Sequence, residues 1–295
     1  MASMISSSLS RDPAAVETIR SAARTTKLPD GNSVPTLDVE TVERVAGMLG
    51  RPAREIEVAA LSLDILPLRY SRNYRSLSFS EQIRLLESTV AVVGLGGLGG
   101  AVLETLGRIG VGAMKLIDGD RFDDSNLNRQ LLATTASLGN PKAGVAEKRL
   151  QAVNPSLQVE AVEAFITAQN AEALLSGCDI VVDCLDAIPT RFLLEGASKR
   201  LGIPMVSGAV AGLTGHVTTV FADGPSLRAI YGDPETAGDK GVETELGNLP
   251  FTVSVVANLQ CAEVVRLLLS RPGNLRNALL LVDLESGTCE RMRLG

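Results

Sequence analysis

Apolar and polar positions change rhythm several times along this 295-residue chain, and each change marks a predicted element. Residues 1–35 are rich in Ser, Ala and Pro with little periodicity. A segment with so few apolar groups does not offset its ordering entropy, so a mobile tail is expected there. From 36 to 66 a helical spacing sets in: Val42, Val45, Ala46 and Leu49, then Ile56, Ala59, Ala60 and Leu63 after a break at Gly50 and Pro52. Two short helices are predicted for this N-terminal arm.

Residues 67–295 alternate short apolar runs with amphipathic segments. "TVAVV", "AMKLID", "LQVEAVEAF", "DIVVDCLD" and "PMVSGAV" read as strands. "LGGAVLETLGRIG", "KAGVAEKRLQAVNP" and "IPTRFLLEGASKRLG" read as the helices between them. This alternation predicts an α/β domain with a Rossmann-like, mostly parallel sheet and helices on both faces. "GHVTTVFA", the long helix "FTVSVVANLQCAEVVRLLLS" and the hairpin "ALLLVDLESGTCERMRL" add an antiparallel C-terminal extension, after a loop rich in Gly, Asp and Glu from Asp223 to Asn248.

Composition then removes several classes of function. A net charge of −6 argues against a nucleic-acid partner, because non-specific affinity for polyanions comes from Lys and Arg neutralising phosphates. The sequence shows no secretory apolar region and no stretch of about 18 apolar residues, so a cytoplasmic protein with no membrane role is expected. Cys178, Cys184, Cys261 and Cys289 are scattered without a C-x-x-C pair and are expected in the core.

Gly94, Gly96, Gly97 and Gly99 fall between a predicted strand and a predicted helix, the context in which a glycine cluster indicates phosphate binding. Asp118 ends the next strand, where an acid can accept hydrogen bonds from ribose hydroxyls. These residues point to a nucleotide without distinguishing NAD from ATP. Asp120, Asp123 and Asp124 follow, each as compatible with a solvated or capping role as with ligand binding. The next segment offers Asn126, Arg129 and Gln130 on a loop and Lys142 in the first turn of a helix. Cations beside a phosphate site suit triphosphate better than nicotinamide.

From Leu68 to Leu294 the ordered motifs "RYSRN", "GLGGLG", "LIDGD", "SNLNRQ", "GNPKA" and "DCLDAIPTR" resemble those of the ubiquitin-activating-enzyme-like adenylyltransferases, the group of MoeB, ThiF and HesA. The resemblance implies that ATP and Mg²⁺ are bound, with the glycine turn, Gly97 above all, on the phosphates and Asp118 and Asp120 at the ribose end. Asn126, Arg129 and Lys142 would engage the triphosphate, and Asp186 would hold the magnesium or organise the reacting phosphate. Arg72 resembles the arginine that crosses a homodimer into the neighbouring site. The implied reaction is attack by the C-terminal carboxylate of a small ubiquitin-fold sulfur carrier ending in Gly-Gly on the α-phosphate of ATP.

The chain also departs from that family. Asn73 stands in place of Gln, Leu185 of Thr and Ala187 of Asn. Ser226 and Ala229 occupy positions of the first zinc cysteine pair of many relatives, so no zinc is expected. The loop "GDPETAGDKGVETELGNLPF" has no thiol, so a separate sulfur donor is implied. His216 is the only histidine and is read as structural. Two competing readings are an NAD-dependent oxidoreductase and a non-catalytic nucleotide-binding scaffold.

Overall fold

Side-chain caps and buried apolar spacing set the N-terminal elements. The computed structural model describes residues 9–236, 238–239 and 241–294, divided between two compact units. The first takes in the described residues up to Ser88 with 107–113 and 154–158. Asp12 accepts from the Ala14 N–H at 3.1 Å and Pro13 opens helix α1, Pro13–Ala22, which buries Ala15 and Ile19. Strands β1, Arg24–Lys27, and β2, Ser33–Leu37, pair antiparallel. The mobile tail expected over 1–35 is therefore corrected from Pro13 onward; residues 1–8 lie outside the described residues. Two apolar residues one helical turn apart, missed as a pattern, anchor this helix on a small core.

The two helices of the arm are α2, Val39–Leu49, and α3, Ala53–Ser62. Asp38 caps α2 by accepting from Thr41 N–H at 2.8 Å, and Gly50 ends it at φ 62°. Ile19, Leu37, Val42, Val45, Ile56 and Ile65 form their shared core. Strand β3, Leu66–Pro67, joins β2 in parallel.

This unit runs past the expected boundary at 66. Helix α4, Phe79–Glu87, starts at a Ser78–Glu81 capping box, and Leu86 and Tyr70 pack with Val58, Leu61 and Leu66. The buried Tyr70 hydroxyl donates to Glu57 at 3.1 Å and accepts from Asn154 at 3.3 Å, while Ser156 donates to Glu57 at 3.0 Å. Burial pushes the Glu57 carboxyl above its usual range, with Arg69 opposing. Asn73 donates to Gln82 Oε1 at 3.1 Å and weakly to the Ile109 carbonyl at 3.4 Å, so the shorter amide ties this turn with help from Gln82.

The second unit is built on an eight-stranded sheet. Its elements in chain order begin with β4, Thr89–Val93, α5, Gly97–Ile109, and β5, Ala113–Ile117. Helix α6, Lys142–Val153, β6, Gln158–Val162, α7, Ala171–Leu175, and β7, Ile180–Asp183, follow. Helix α8, Ile188–Leu201, β8, Met205–Ala211, β9, Thr214–Val220, α9, Pro250–Leu268, and β10, Ala278–Asp283, and β11, Thr288–Arg293, complete it. The spatial order is β11-β10-β9-β8-β7-β4-β5-β6. β4, β7 and β8 run parallel, and β8, β9, β10 and β11 are successively antiparallel, which agrees with the expected α/β sheet and its C-terminal extension. The chain builds outward from β4 to β6, then returns to the other side of β4 as β7. That reversal opens a crevice at the carboxyl ends of β4 and β7, where ligands of such sheets bind.

Helix α9 corrects the expectation from hydropathy, since by length and composition it is apolar enough to cross a bilayer. Half of that stretch is buried. It packs against β7, β8 and β9, and its buried Gln260 donates to the Asp183 carbonyl at 2.9 Å. Its buried Glu263 accepts from Thr219 at 2.7 Å and the Leu275 N–H at 2.6 Å. Its apolar composition is that of a core helix.

A buried ion pair fixes the end of β7. Arg191 on α8 donates to Asp183 Oδ2 at 2.7 Å, to the Gly208 carbonyl at 3.0 Å and also to the Leu185 carbonyl. Ser207 donates to the same Asp183 oxygen at 2.6 Å. Removing one partner of such a pair strands a buried charge, at a cost of roughly 3–5 kcal/mol. Arg191 also lies 5.9 Å from the Tyr231 ring, and the Tyr231 hydroxyl is 3.3 Å from His216 Nε2.

Burial, and then the Arg191 cation, push His216 down to about 4. The unfolded chain, with an ordinary histidine, takes up a proton first as pH falls. The stability held above pH 6.5 is therefore lost progressively between 6.5 and about 4. Urea unfolding at pH 7.5 and pH 5 should show the wild type losing about 2 kcal/mol more than His216→Gln. Equal losses in the two proteins would refute a depressed His216.

Candidate active site

The turn after β4 is shaped by contacts that only glycine allows. Gly94 has φ 86°, and a Cβ there would stand 2.7 Å from the Cys184 carbonyl oxygen at the end of β7. A Cβ on Gly99 would stand 1.8 Å from the Gly94 carbonyl oxygen. These close approaches set the first turn of α5 directly over the crevice, with its unpaired N–H groups available to an anion.

Asp118 holds the turn from the other side. Its carboxylate accepts from the Leu95 N–H at 2.6 Å and the Asp120 N–H at 2.7 Å. Each oxygen keeps a lone pair for a ribose hydroxyl. Asp120 accepts the Lys142 ammonium at 3.1 Å, and its carbonyl accepts the Lys142 N–H at 2.9 Å, at the first residue of α6. Arg129 donates to the Ser125 carbonyl at 2.8 Å and to Asn128 Oδ1 at 2.9 Å, with its stem against Gly97.

A cavity of about 360 Å³ gathers these groups. Gly94, Gly96, Gly97, Asp118, Asp120, Arg129, Lys142 and Asp186 all line it. Gly99 does not line it and serves the packing of α5 instead. Asn126 is buried beneath the loop, where its Oδ1 accepts from the Asp123 N–H at 3.2 Å as part of a capping box, and it does not line the cavity either. Arg72 belongs to the first unit, exposed in the turn after Tyr70.

Sequence reasoning gave no role to several other lining residues. Phe165 packs flat on Gly119, and with Ile117, Ile166 and Leu185 it makes an apolar wall suited to a base. Tyr231, Glu243 and Asn248 line the cavity as well, with Ala209 and Val210. Gln130 was read as a loop residue and the last position of "SNLNRQ", with no role assigned to it. It is 6% exposed, lines the cavity beside Gly96, and its side-chain oxygen has no hydrogen-bond partner among the described residues. The signal available for Gln130 was its place next to Arg129; for Phe165 and Tyr231 there was none, since the fold alone brings them here.

Thiol chemistry finds no support. Burial, with Asp183 nearby, pushes the Cys184 thiol well above its usual range, and burial pushes Cys261 up to about 12 and Cys178 up to about 11. Cys289 corrects the expectation of a core position, being exposed on β11. In the segment where relatives place their first zinc cysteines, Ser226 and the Leu227 N–H both donate to Glu195, at 3.0 and 3.2 Å. Among the described residues no three His, Cys, Asp or Glu side chains are gathered as a metal cage.

Comparison with known proteins identifies the family of this fold. The ThiF family profile matches residues 70–295. The chain is 38% identical over 236 residues to a SAMP-activating enzyme E1 of Haloferax volcanii, covering 78% of this chain and 86% of that one. It is 41% identical over 208 residues to a sulfur carrier protein adenylyltransferase of Thermus thermophilus, covering 68% and 77%. In fold it is similar to E. coli MccB solved with ATP, at a TM-score of 0.67 and 19% identity, over 86% of this chain and 82% of the other. By the profile match and these identities, the chain belongs to the ThiF family.

Proposed function

We propose that this protein is an adenylyltransferase that uses ATP to activate the C-terminal glycine carboxylate of a small ubiquitin-fold sulfur carrier. The observation that carries the reading is the meeting, in one cavity, of a helix N-terminus, the ribose acid Asp118, the cations Arg129 and Lys142, and Asp186. The names of its relatives, a SAMP-activating E1 and a sulfur carrier adenylyltransferase, support the same class of substrate.

In the proposed step a carboxylate oxygen of the carrier forms a bond to the α-phosphorus while the bond from that phosphorus to the bridging oxygen breaks, releasing pyrophosphate. The carboxylate is ionised at neutral pH, so no base is needed. The obstacle is bringing two anions together, and Arg129, Lys142 and the N–H groups of α5 lower it by fixed positive charge. Mg²⁺ bound with the triphosphate would supply further neutralisation, and the exposed Asp186 would hold it. A site with one or two carboxylates suits Mg²⁺, which takes its remaining ligands from phosphate and water. In this reading the carrier tail enters along the part of the cavity lined by Tyr231 and Asn248. The acyl-adenylate is then consumed by a separate sulfur donor.

A homodimer is part of the proposal. Leu127, Leu131, Phe251 and Val255 are exposed around the first turns of α5, where Gly97 meets Val253 and Gly100 meets Leu131. An apolar patch of this kind marks a protein contact. Arg72, an exposed guanidinium, is assigned to the partner's phosphates.

ATP–pyrophosphate exchange with carriers ending in Gly-Gly tests the reaction. Arg129→Ala, Lys142→Ala and Asp186→Ala should each lower exchange at least about 100-fold with unchanged melting temperature. Exchange within threefold of wild type in all three would refute the assignment. Phe251→Asp should shift the mass in light scattering from two chains to one; a wild type of one chain at micromolar concentration refutes the dimer. Mixing inactive Arg72→Ala with inactive Lys142→Ala should restore up to about a quarter of wild-type exchange through dimers holding one intact site. No recovery after demonstrated subunit exchange would place Arg72 in its own protomer's site or in none.

A further inference from the structure

Gln130 is the buried polar side chain that the proposed chemistry leaves unused. The residue lines the cavity, and its carbonyl oxygen is shut away from water with no hydrogen-bond partner among the described residues. A buried acceptor left unmade is destabilising, so its persistence at a cavity wall calls for a donor brought by a ligand. Its amide stands against Gly96, with Nε2 3.6 Å from where a Cβ on that residue would lie, over the middle of the glycine turn. That is the phosphate end of the cavity, where helix N–H groups and the cations of Arg129 and Lys142 converge.

The chemistry of the donor follows by elimination. Phosphate oxygens and an ionised carboxylate have no hydrogen to give. The ribose hydroxyls are donors, but the acceptor for them is Asp118 at the end of β5. Beside waters on Mg²⁺, the donor that adenylation brings to the α-phosphate is the peptide N–H of the carrier's last glycine, two bonds from the attacking carboxylate carbon, and it alone comes with the carboxylate that must be positioned. We infer that Gln130 Oε1 accepts this N–H and so fixes the approach of the carboxylate. The inference rests on the adenylation reading and names the residue that reads the final peptide unit. Its neighbour Arg129 acts on phosphate, so adjacent residues of one loop serve the two substrates.

The test uses the whole protein and Gln130→Met, which keeps the shape and removes the amide. Calorimetry with Mg²⁺ and a non-hydrolysable ATP analogue should give an affinity within about twofold of wild type, and the variant should melt at or above the wild-type temperature. In pyrophosphate exchange with a Gly-Gly carrier it should lose about tenfold in kcat/KM for the carrier. A semisynthetic carrier ending in N-methylglycine lacks the N–H: wild type should lose about tenfold on it, and Gln130→Met less than twofold more. Equal penalties for N-methylation in both proteins, or an ATP affinity weakened tenfold in the variant, would overturn the inference and leave the adenylation reading intact. If wild type binds the analogue yet exchanges with none of the genome's ubiquitin-fold proteins ending in Gly-Gly, the adenylation reading falls and this inference falls with it.

Discussion

The site depends on how closely two stretches of backbone pass at the carboxyl ends of β4 and β7. With a Cβ at Gly94 the turn would strike the Cys184 carbonyl, and with one at Gly99 helix α5 would strike the turn itself. Because neither is present, the N-terminus of α5 and the segment Cys184–Ala187 share one crevice. A shift of an ångström in either would separate the proposed phosphate cradle from Asp186, and misplacement on that scale is enough to cost orders of magnitude in rate.

That approach is held by groups that never meet a ligand in the proposed reaction. Arg191 reaches back from α8 to Asp183 and to the carbonyls on either side of the crevice, and Gln260 on α9 takes the Asp183 carbonyl from below. The positions after β7 tolerate Leu185 and Ala187 because this scaffold, rather than those side chains, fixes the backbone. Leu185 lines the cavity with Phe165 and Ile166, so in the proposed reading the change from a polar residue bears on the wall offered to the base rather than on the phosphate end.

Much of this was legible along the chain. β4 occupies the predicted "TVAVV", α6 begins at Lys142 as its preceding Pro141 suggested, and the sheet has the expected parallel core with an antiparallel extension. Helix period, strand runs and glycine turns are local signals, and they carried these elements. The helix at Pro13 was missed because its apolar face is two residues wide, and its order comes from a core assembled by α2, α3 and β2. Phe165, Tyr231 and Glu243 were missed because their approach to Asp118 and Asp186 is a property of strand order alone. Asn126 shows the converse. Its motif was visible, yet its amide is engaged in a cap under the loop.

In a chain of net charge −6 the cations proposed to meet phosphate do not stand bare. Lys142 rests on Asp120, and Arg129 on the Ser125 carbonyl and Asn128. Binding a triphosphate is therefore an exchange of partners, and its net gain is smaller than the roughly 1.5–3 kcal/mol that each new charge-assisted bond would give alone. That loss of raw affinity is a gain in selectivity. A small anion such as inorganic phosphate displaces Asp120 from Lys142 without also filling the apolar wall at Phe165 or meeting Asp118, so it offsets little of what it breaks. A nucleotide bound as proposed would reach all three regions at once. Its remote contacts can thus be spent on freeing the cations where the two anions must meet, which is how binding energy is turned to catalysis.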